Sequence, residues 1–353
     1  MTCTLDLYTD YLVSSTGPTT ATGLSRLLDG ALSHDHITRW LTQAGLGSPA
    51  LWRQAKPLIR QAEAQRGAEE FAVLIVDDSI LEKAHTDANE LICTQWDHSQ
   101  QRFVKGLNFV SLLYQAGELA LPVAAELVHK TVPVFQPKTQ QTSYQSASTK
   151  NEYLQQLLRV AQQQVAYRYL LADSWYASAE NMNLVRALGH HFIFALESTR
   201  TVALSAEARA KGQFQAVQTL VFPDEHPLRV YLRSVQEAVL VTRQVFTNQD
   251  GSQGVLYLVS SDTDLTQTQL TTIYQRRWKV EEYHKSLKQN ASMGKSPTKT
   301  LTTQTNHFFA ALLAYGKLEV LKLKWSIGHF RLKAQLYSVG LKAMYQQLAQ
   351  LSA

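Results

Sequence analysis

Two runs of residues constrain this chain more than anything else in it. Phe71–Val76 is apolar without a break, has β-branched members, and ends in Asp77 and Asp78. The stretch "VAYRYLLADSWY" repeats the theme, its apolar part ending at Asp173. A strand covered on one face alternates apolar and polar residues. An unbroken apolar run between polar flanks marks a strand covered on both faces. Between the two runs lies "NEYLQQLLRVAQQQ", an amphipathic pattern that offers Leu154, Leu157, Leu158 and Val160 for burial. The strands at 71–76 and 165–172, joined across a helix, are therefore expected in one mixed α/β sheet.

The rest of the chain fills in around that sheet. The first seventy residues read as helical. Within them, "TTATGLSRLLDGALSHDHITRWL" has two short helical faces around a tight turn, with Ser33 as cap. This fits an ordinary helical hairpin or a helix-turn-helix, in which His34, His36 and Arg39 would face DNA. "LICTQWDHSQQRFVKG" and "LNFVSLLYQAGELALPVAAELV" read as strand–turn–strand units, and "VPVFQPKTQQTSYQSASTK" as a polar loop. After the strand "HHFIFALES", residues 199–254 alternate in short strand-like pieces and close with the turn "TNQDGSQG". "VLYLVSS" returns as a core strand, and helices follow from Thr266, including one over about 302–324.

Composition narrows the class. With 45% hydrophobic and 18% charged residues in 353, the chain reads as a soluble globular protein. No uncharged apolar stretch approaches a membrane span, and no signal peptide is recognisable at Met1. Two cysteines, Cys3 and Cys93, make no metal spacing and no disulfide framework, which suits a reducing cytoplasm. A net charge of +5 is compatible with a polyanionic partner.

The stretch "YQRRWKVEEYHKSLK", Tyr274 to Lys288, carries the chemistry. On a helix, Tyr274, Arg277, Glu281 and Lys288 are spaced three, four and seven apart and share one face, with His284 and Lys285 beside it. Ile273, Val280 and Leu287 form a neighbouring apolar stripe. Arg277 and Glu281 could be only a salt-bridged pair. Yet Arg276, Arg277, Lys279, Lys285 and Lys288 outnumber Glu281 and Glu282, so the face is short of anions. Asp77 and Asp173, each at the end of an apolar strand, stand where ligands of open α/β sheets bind. Three carboxylates with a basic surround suit magnesium, a hard ion that takes oxygen ligands. A pair of such ions about 3.5–4 Å apart can drive phosphodiester cleavage.

This stretch resembles the Tyr-x2-Arg-x3-Glu-x6-Lys signature of bacterial insertion-sequence transposases of the Asp-Asp-Glu class. "VDDS" and "LADSWY" are similar to that family's two aspartate motifs, and the resemblance spans about 71–325. It implies a ribonuclease H-like mixed sheet flanked by helices, with a β-rich insertion and a helical N-terminal region. The organisation expected is a helical region at 1–68, the first part of the core at 69–198, the insertion at 199–254, the rest of the core at 255–325 and a helical tail at 326–353. By the same resemblance, Asp77, Asp173 and Glu281 are the catalytic and metal ligands; Asp77 is preferred over Asp78 because it follows the apolar strand directly. They would hold two Mg2+ ions, with Mn2+ able to substitute. Tyr274, Arg277 and Lys288 would contact DNA phosphates, with Lys285 beside them. The partners implied are the double-stranded DNA of transposon ends and target, and a second copy in a homodimeric DNA complex in a bacterial cytoplasm, at the nucleoid. A non-catalytic DNA-binding protein, or another ribonuclease H-like nuclease, are the alternatives. Trp175 and Trp278 are read as core packing. The insertion holds no tryptophan, so Phe222, Tyr231 or Tyr257 would have to serve wherever the family stacks a flipped base.

Overall fold

The computed structural model describes residues 1–97, 100–137, 140–222, 226–247 and 250–351. It opens with four helices, α1 (Leu5–Ser14), α2 (Ala21–Leu27), α3 (His34–Gln43) and α4 (Ser48–Gln65). There follow β1 (Val73–Glu82), β2 (Cys93–Asp97), β3 (Arg102–Ala116), β4 (Leu119–Leu127), β5 (Lys130–Gln136) and β6 (Gln141–Ser146). Then come α5 (Lys150–Ala161), β7 (Tyr169–Ala172), α6 (Ala179–Ala187), β8 (His191–Leu196), β9 (Thr201–Ala203), α7 (Ala206–Ala210) and β10 (Gln215–Ala216). The chain continues with β11 (Leu228–Leu232), β12 (Val239–Thr247), β13 (Gln253–Ser260), α8 (Gln267–Gln275), α9 (Lys279–Gln289), α10 (Leu301–Trp325) and α11 (His329–Leu351).

Five strands make the heart of the sheet, in the order β4–β3–β1–β7–β8. β3 lies between β1 and β4 and runs antiparallel to both, and β7 and then β8 run parallel to β1. That order and those directions are the ribonuclease H-like arrangement. β1 is buried on both sides, as its composition requires. Val73 and Ile75 enter one core cluster with α9 and α10, while Leu74 and Val76 enter the other with α5 and α6. α10 is sunk in the first cluster, with Phe308, Leu312 and Leu318 fully covered. Each such side chain stabilises the fold by roughly 1.5–3 kcal/mol. Val160 on α5 is the exception among the four residues expected to be buried there; it is exposed.

Three parts of the fold go beyond the sequence reading or depart from it. β1 does not stop at Val76 but continues through both aspartates to Glu82, because β3 supplies partners along the whole length, pairing Asp77 with Ser111 and Asp78 with Val110. The strands meet so closely at Gly106 that an added Cβ would lie 2.3 Å from the Leu81 carbonyl oxygen. The β-rich stretch expected at 199–254 is rich in strands, and these join the central sheet directly. β12 pairs with β13, and β13 with β8, so they prolong the central sheet. Of the turn expected between β12 and β13, Asn248 and Gln249 lie outside the described residues. The segment read as a polar loop forms a separate two-stranded ribbon, β5–β6, in which Pro133 is tolerable because the ribbon is all edge.

α2 and α3 meet at a turn with Asp29 and Gly30 at positive φ, 50° and 76°. Their inner residues Leu24, Ile37 and Leu41 pack into the α10 core, and His34, His36 and Arg39 stay outside. α11 buries only His329 among its described residues.

Candidate active site

The site begins with the alternation of β1. Successive side chains of a strand point to opposite faces, so Asp77 follows Ile75 toward α9, and Asp78 follows Val76 toward α5. On its own face, Asp78 is fully engaged. Lys150 Nζ donates to its Oδ2 at 2.6 Å and Tyr176 Oη to its Oδ1 at 3.1 Å. Lys150 is placed there by a capping box, in which Thr149 caps α5 and Glu152 returns the bond, fixing Lys150 as the first helical residue. Asp77 has no cation so close. Its Oδ2 lies 3.9 Å from Arg277 Nη1 and 3.9 Å from His284 Nδ1, while its Oδ1 accepts from the Asp78 backbone N–H.

Asp173 comes from the first residue after β7, parallel to β1. Its carboxylate accepts the Trp175 backbone N–H at 3.0 Å and so caps the short 3₁₀ turn 174–176. Glu281 comes from the first turn of α9, with Oε1 3.5 Å from Arg277 Nη2. The signature run is not one uniform helix. A 3₁₀ turn at Arg276–Trp278 separates α8 from α9 and carries Arg277 to a position between Asp77 and Glu281. Asp77, Asp173 and Glu281 line one cleft, with Lys150, Lys285 and Lys288 on its walls.

Electrostatics separate these carboxylates. Burial, then the charges of Asp78 and Asp173, push the Asp77 carboxyl up to about 8, and Arg277 only partly opposes them. Asp173 is raised too, chiefly by burial. His284 is buried and its basicity falls to about 3 through burial and the nearby Lys288 and Arg277, so it is neutral. Burial works against the Arg277 charge, but Tyr274, Asp77, Glu281 and Asp173 outweigh it and hold the guanidinium protonated. Burial lowers Lys288.

The donor set fits a hard divalent cation in kind. The groups are carboxylate oxygens, and Asp77 resists ionising without a positive charge nearer than Arg277 provides. Among the described residues, no three His, Cys, Asp or Glu side chains are gathered tightly enough to hold a single ion. The Arg277 guanidinium stands between Asp77 and Glu281 instead.

The sequence residues thus fare unequally. Asp77, Asp173, Glu281, Arg277, Lys285 and Lys288 share the cleft. Tyr274 is buried in the core beside Arg277, and burial pushes its hydroxyl up to about 12. The expected surplus of positive charge is smaller than the count suggested. Arg276 turns away to bond the Phe71 and Gln115 carbonyls, and Lys279 pairs with Glu282 at 3.0 Å. Trp175 and Trp278 are not core residues. They are 57% and 69% exposed, and Trp175 lines the cleft with the Lys150 ammonium 5.6 Å from its ring centre. Sequence reasoning missed Lys150 and Tyr176, and placed His284 beside the signature face without giving it a role. His284 lies three residues beyond Glu281 on the same helical face, and Thr149-x-x-Glu152 marked a helix start at Lys150. Nothing local to Tyr176 announced its role.

No curated protein matches the chain. One solved structure, "Crystal structure of Ciona intestinalis (Ci) Endonuclease V in complex with a 24mer DNA containing an inosine followed by a ribo-adenosine", aligns over 67% of this chain and 98% of its own at 9% identity. Its TM-score of 0.28 is too low to carry weight. Family models are decisive where that likeness is not. One described as "Archaeal putative transposase ISC1217" matches residues 121–332, and one described as "DDE superfamily endonuclease" matches residues 1–216. With well over half its length matched by each, the chain belongs to the DDE superfamily of endonucleases and transposases.

Proposed function

We propose that this protein is a transposase that binds the terminal inverted repeats of its element, cleaves DNA there and joins the freed 3′ hydroxyl to a target strand. The observation that supports this reading is that Asp77, Asp173 and Glu281, drawn from β1, the turn after β7 and α9, line one cleft with Lys285 and Lys288 beside them. Asp77, Asp173 and Glu281 would hold two Mg2+ ions, or Mn2+ in their place. When bound, such ions activate the attacking oxygen and steady the leaving one.

The chain's own residues do the rest. Lys285 and Lys288 bind phosphates along the cleft and orient the strand, a role that depends on charge and not on base sequence. Arg277, held charged by Tyr274 and the acids, keeps Asp77 and Glu281 in register and offers a guanidinium to a phosphate oxygen. His284, neutral and buried against Asp77 and edge-on to Phe109 at 5.5 Å between ring centres, closes the floor to water. Synapsis of two ends would bring two copies together.

A nicking and joining assay tests the reading, with candidate end sequences, Mg2+ and a free 3′ hydroxyl. Single variants Asp77→Ala, Asp173→Ala and Glu281→Ala should each lose cleavage by about 10³-fold or more while duplex binding survives. Full cleavage by Asp173→Ala removes the assigned site. Cleavage without joining reduces the protein to a nuclease.

A further inference from the structure

The β5–β6 ribbon stands outside everything assigned above. It is a two-stranded sheet of its own, separate from the central sheet. Such ribbons are marginal in water unless they pack against something. This one is pinned at its base. The Lys130 backbone N–H donates to the Glu90 carbonyl at 2.8 Å, Lys130 Nζ donates to the Thr94 carbonyl at 3.0 Å, and Ser146 Oγ meets Tyr153 Oη of α5 at 3.2 Å. Higher up, its aromatic side chains are out in solvent. Phe135 and Tyr144 are each 57% exposed. The register sets Tyr144 opposite Pro133, and Phe135 lies two residues on, so Pro133, Phe135 and Tyr144 share one face.

Three features say what covers that face. The first is charge: between Glu126 and Glu152 no residue is acidic and Lys138 is basic, while Lys130 and Lys150 are already bonded to Thr94 and Asp78 and His129 lies 4.0 Å from Glu90. Lys138 lies outside the described residues. The second is position. One leg is anchored beside β2, whose Trp96 lines the cleft, and the other runs into α5, whose first residue, Lys150, lines it too. The ribbon therefore rises from the cleft rim. The third is chemistry: Gln, Ser and Thr dominate the rest of the segment, and these side chains bond readily to phosphates and base edges. A two-stranded β-ribbon is also of a size that the major groove admits.

We propose that β5–β6 is a DNA-gripping arm that lies against the duplex leading into the cleft, with Phe135 and Tyr144 as its apolar contacts. It rests on the cleft being the DNA site, and its test is arranged to fail separately. The full chain is titrated against a fluorescein-labelled duplex of mixed sequence, without divalent metal, at several salt concentrations. Phe135→Ala/Tyr144→Ala weakens binding about tenfold with the salt slope unchanged, because no phosphate contact is lost. Phe135→Glu/Tyr144→Glu weakens it further, and both variants shorten the footprint on one side. Circular dichroism of both matches the parent, since the changed side chains are exposed.

Unchanged affinity and footprint in both variants overturns the arm. So does a wild type that runs as a dimer and variants that run as monomers with full DNA affinity, which would make the ribbon a contact between copies. Lys288→Ala is measured in parallel. If it weakens binding while the ribbon variants do not, the cleft stands and the arm falls. If neither has any effect, the cleft itself is not where duplex binds.

Discussion

Asp77 and Asp78 are neighbours in sequence, on one strand, and nearly equally covered, with side chains 14% and 19% exposed. Their surroundings are opposite. Asp78 has an ammonium at 2.6 Å and a phenol at 3.1 Å. Asp77 has a guanidinium and a neutral imidazole, each at 3.9 Å, and other acids around it. The α5 face of the strand has solved its charge problem internally. The α9 face holds a carboxylate that remains protonated at neutral pH until positive charge arrives. Burying a carboxylate without an adequate partner costs stability, which is the reason the α9 face is proposed as the functional one.

The largest expected difference between the two is in cleavage. Asp77→Asn should abolish Mg2+-dependent nicking, a fall of about 10³-fold or more. Asp78→Asn keeps a hydrogen-bond acceptor for Lys150 and should cost about tenfold or less. Equal losses in the nicking assay would break the comparison, since they would give both faces of β1 the same task.

Stability should move in opposite directions, which is a sharper test because it needs no substrate. The folded protein holds a proton on Asp77 that the unfolded chain releases near 3.8. This group therefore lowers stability progressively as pH rises from 3.8 to about 8, and the penalty is complete above that. Asp77→Asn removes it, so the melting temperature at pH 8 in metal-free buffer should rise by several degrees and depend less on pH over that window. Asp78→Asn weakens a half-buried ion pair and should lower stability by about 1–2 kcal/mol. Mg2+ should raise the melting temperature of the parent and not of Asp77→Asn, since a ligand stabilises only the state that binds it. A parent indifferent to Mg2+ would detach the metal from this face.

The same pair shows what the sequence could reveal. The strand, its burial on both faces and the two acids at its end were legible in Phe71–Asp78, because an apolar run has one economical use. The cleft was legible in part. The spacing of Arg277, Glu281 and Lys288 survives the 3₁₀ turn that interrupts the helix. Which aspartate faced the chemistry depended on the partners of Asp78, Lys150 and Tyr176, which are 72 and 98 residues away. No local pattern reports such contacts. Counting charges misled for the same reason, since Arg276 and Lys279 are spent on a carbonyl pair and a neighbouring acid. Trp175 and Trp278 were placed inside because large aromatics usually are, yet both sit on 3₁₀ turns that present them to solvent. The ribbon was hidden by Pro133 and by its polar composition, which are turn signals anywhere else.

The smallest effect expected concerns the cations that were not spent. Lys288 is half-buried on the α9 face, its charge made costly by burial but supported by Asp97, Glu281 and Asp77. Lys150, on the other face, is committed to Asp78. If the α9 face is the one that meets phosphate, Lys288→Ala should lower duplex affinity several-fold at low salt. It should also reduce the slope of log K against log salt by about 0.9, the release of one counterion. Lys150→Ala should leave that slope nearly unchanged, because its ammonium is already neutralised, and should act through stability instead. The two slopes, measured by anisotropy on one duplex, separate a cation that waits for DNA from a cation that holds the protein together. Reversed slopes would move the phosphate track to the α5 wall of the cleft.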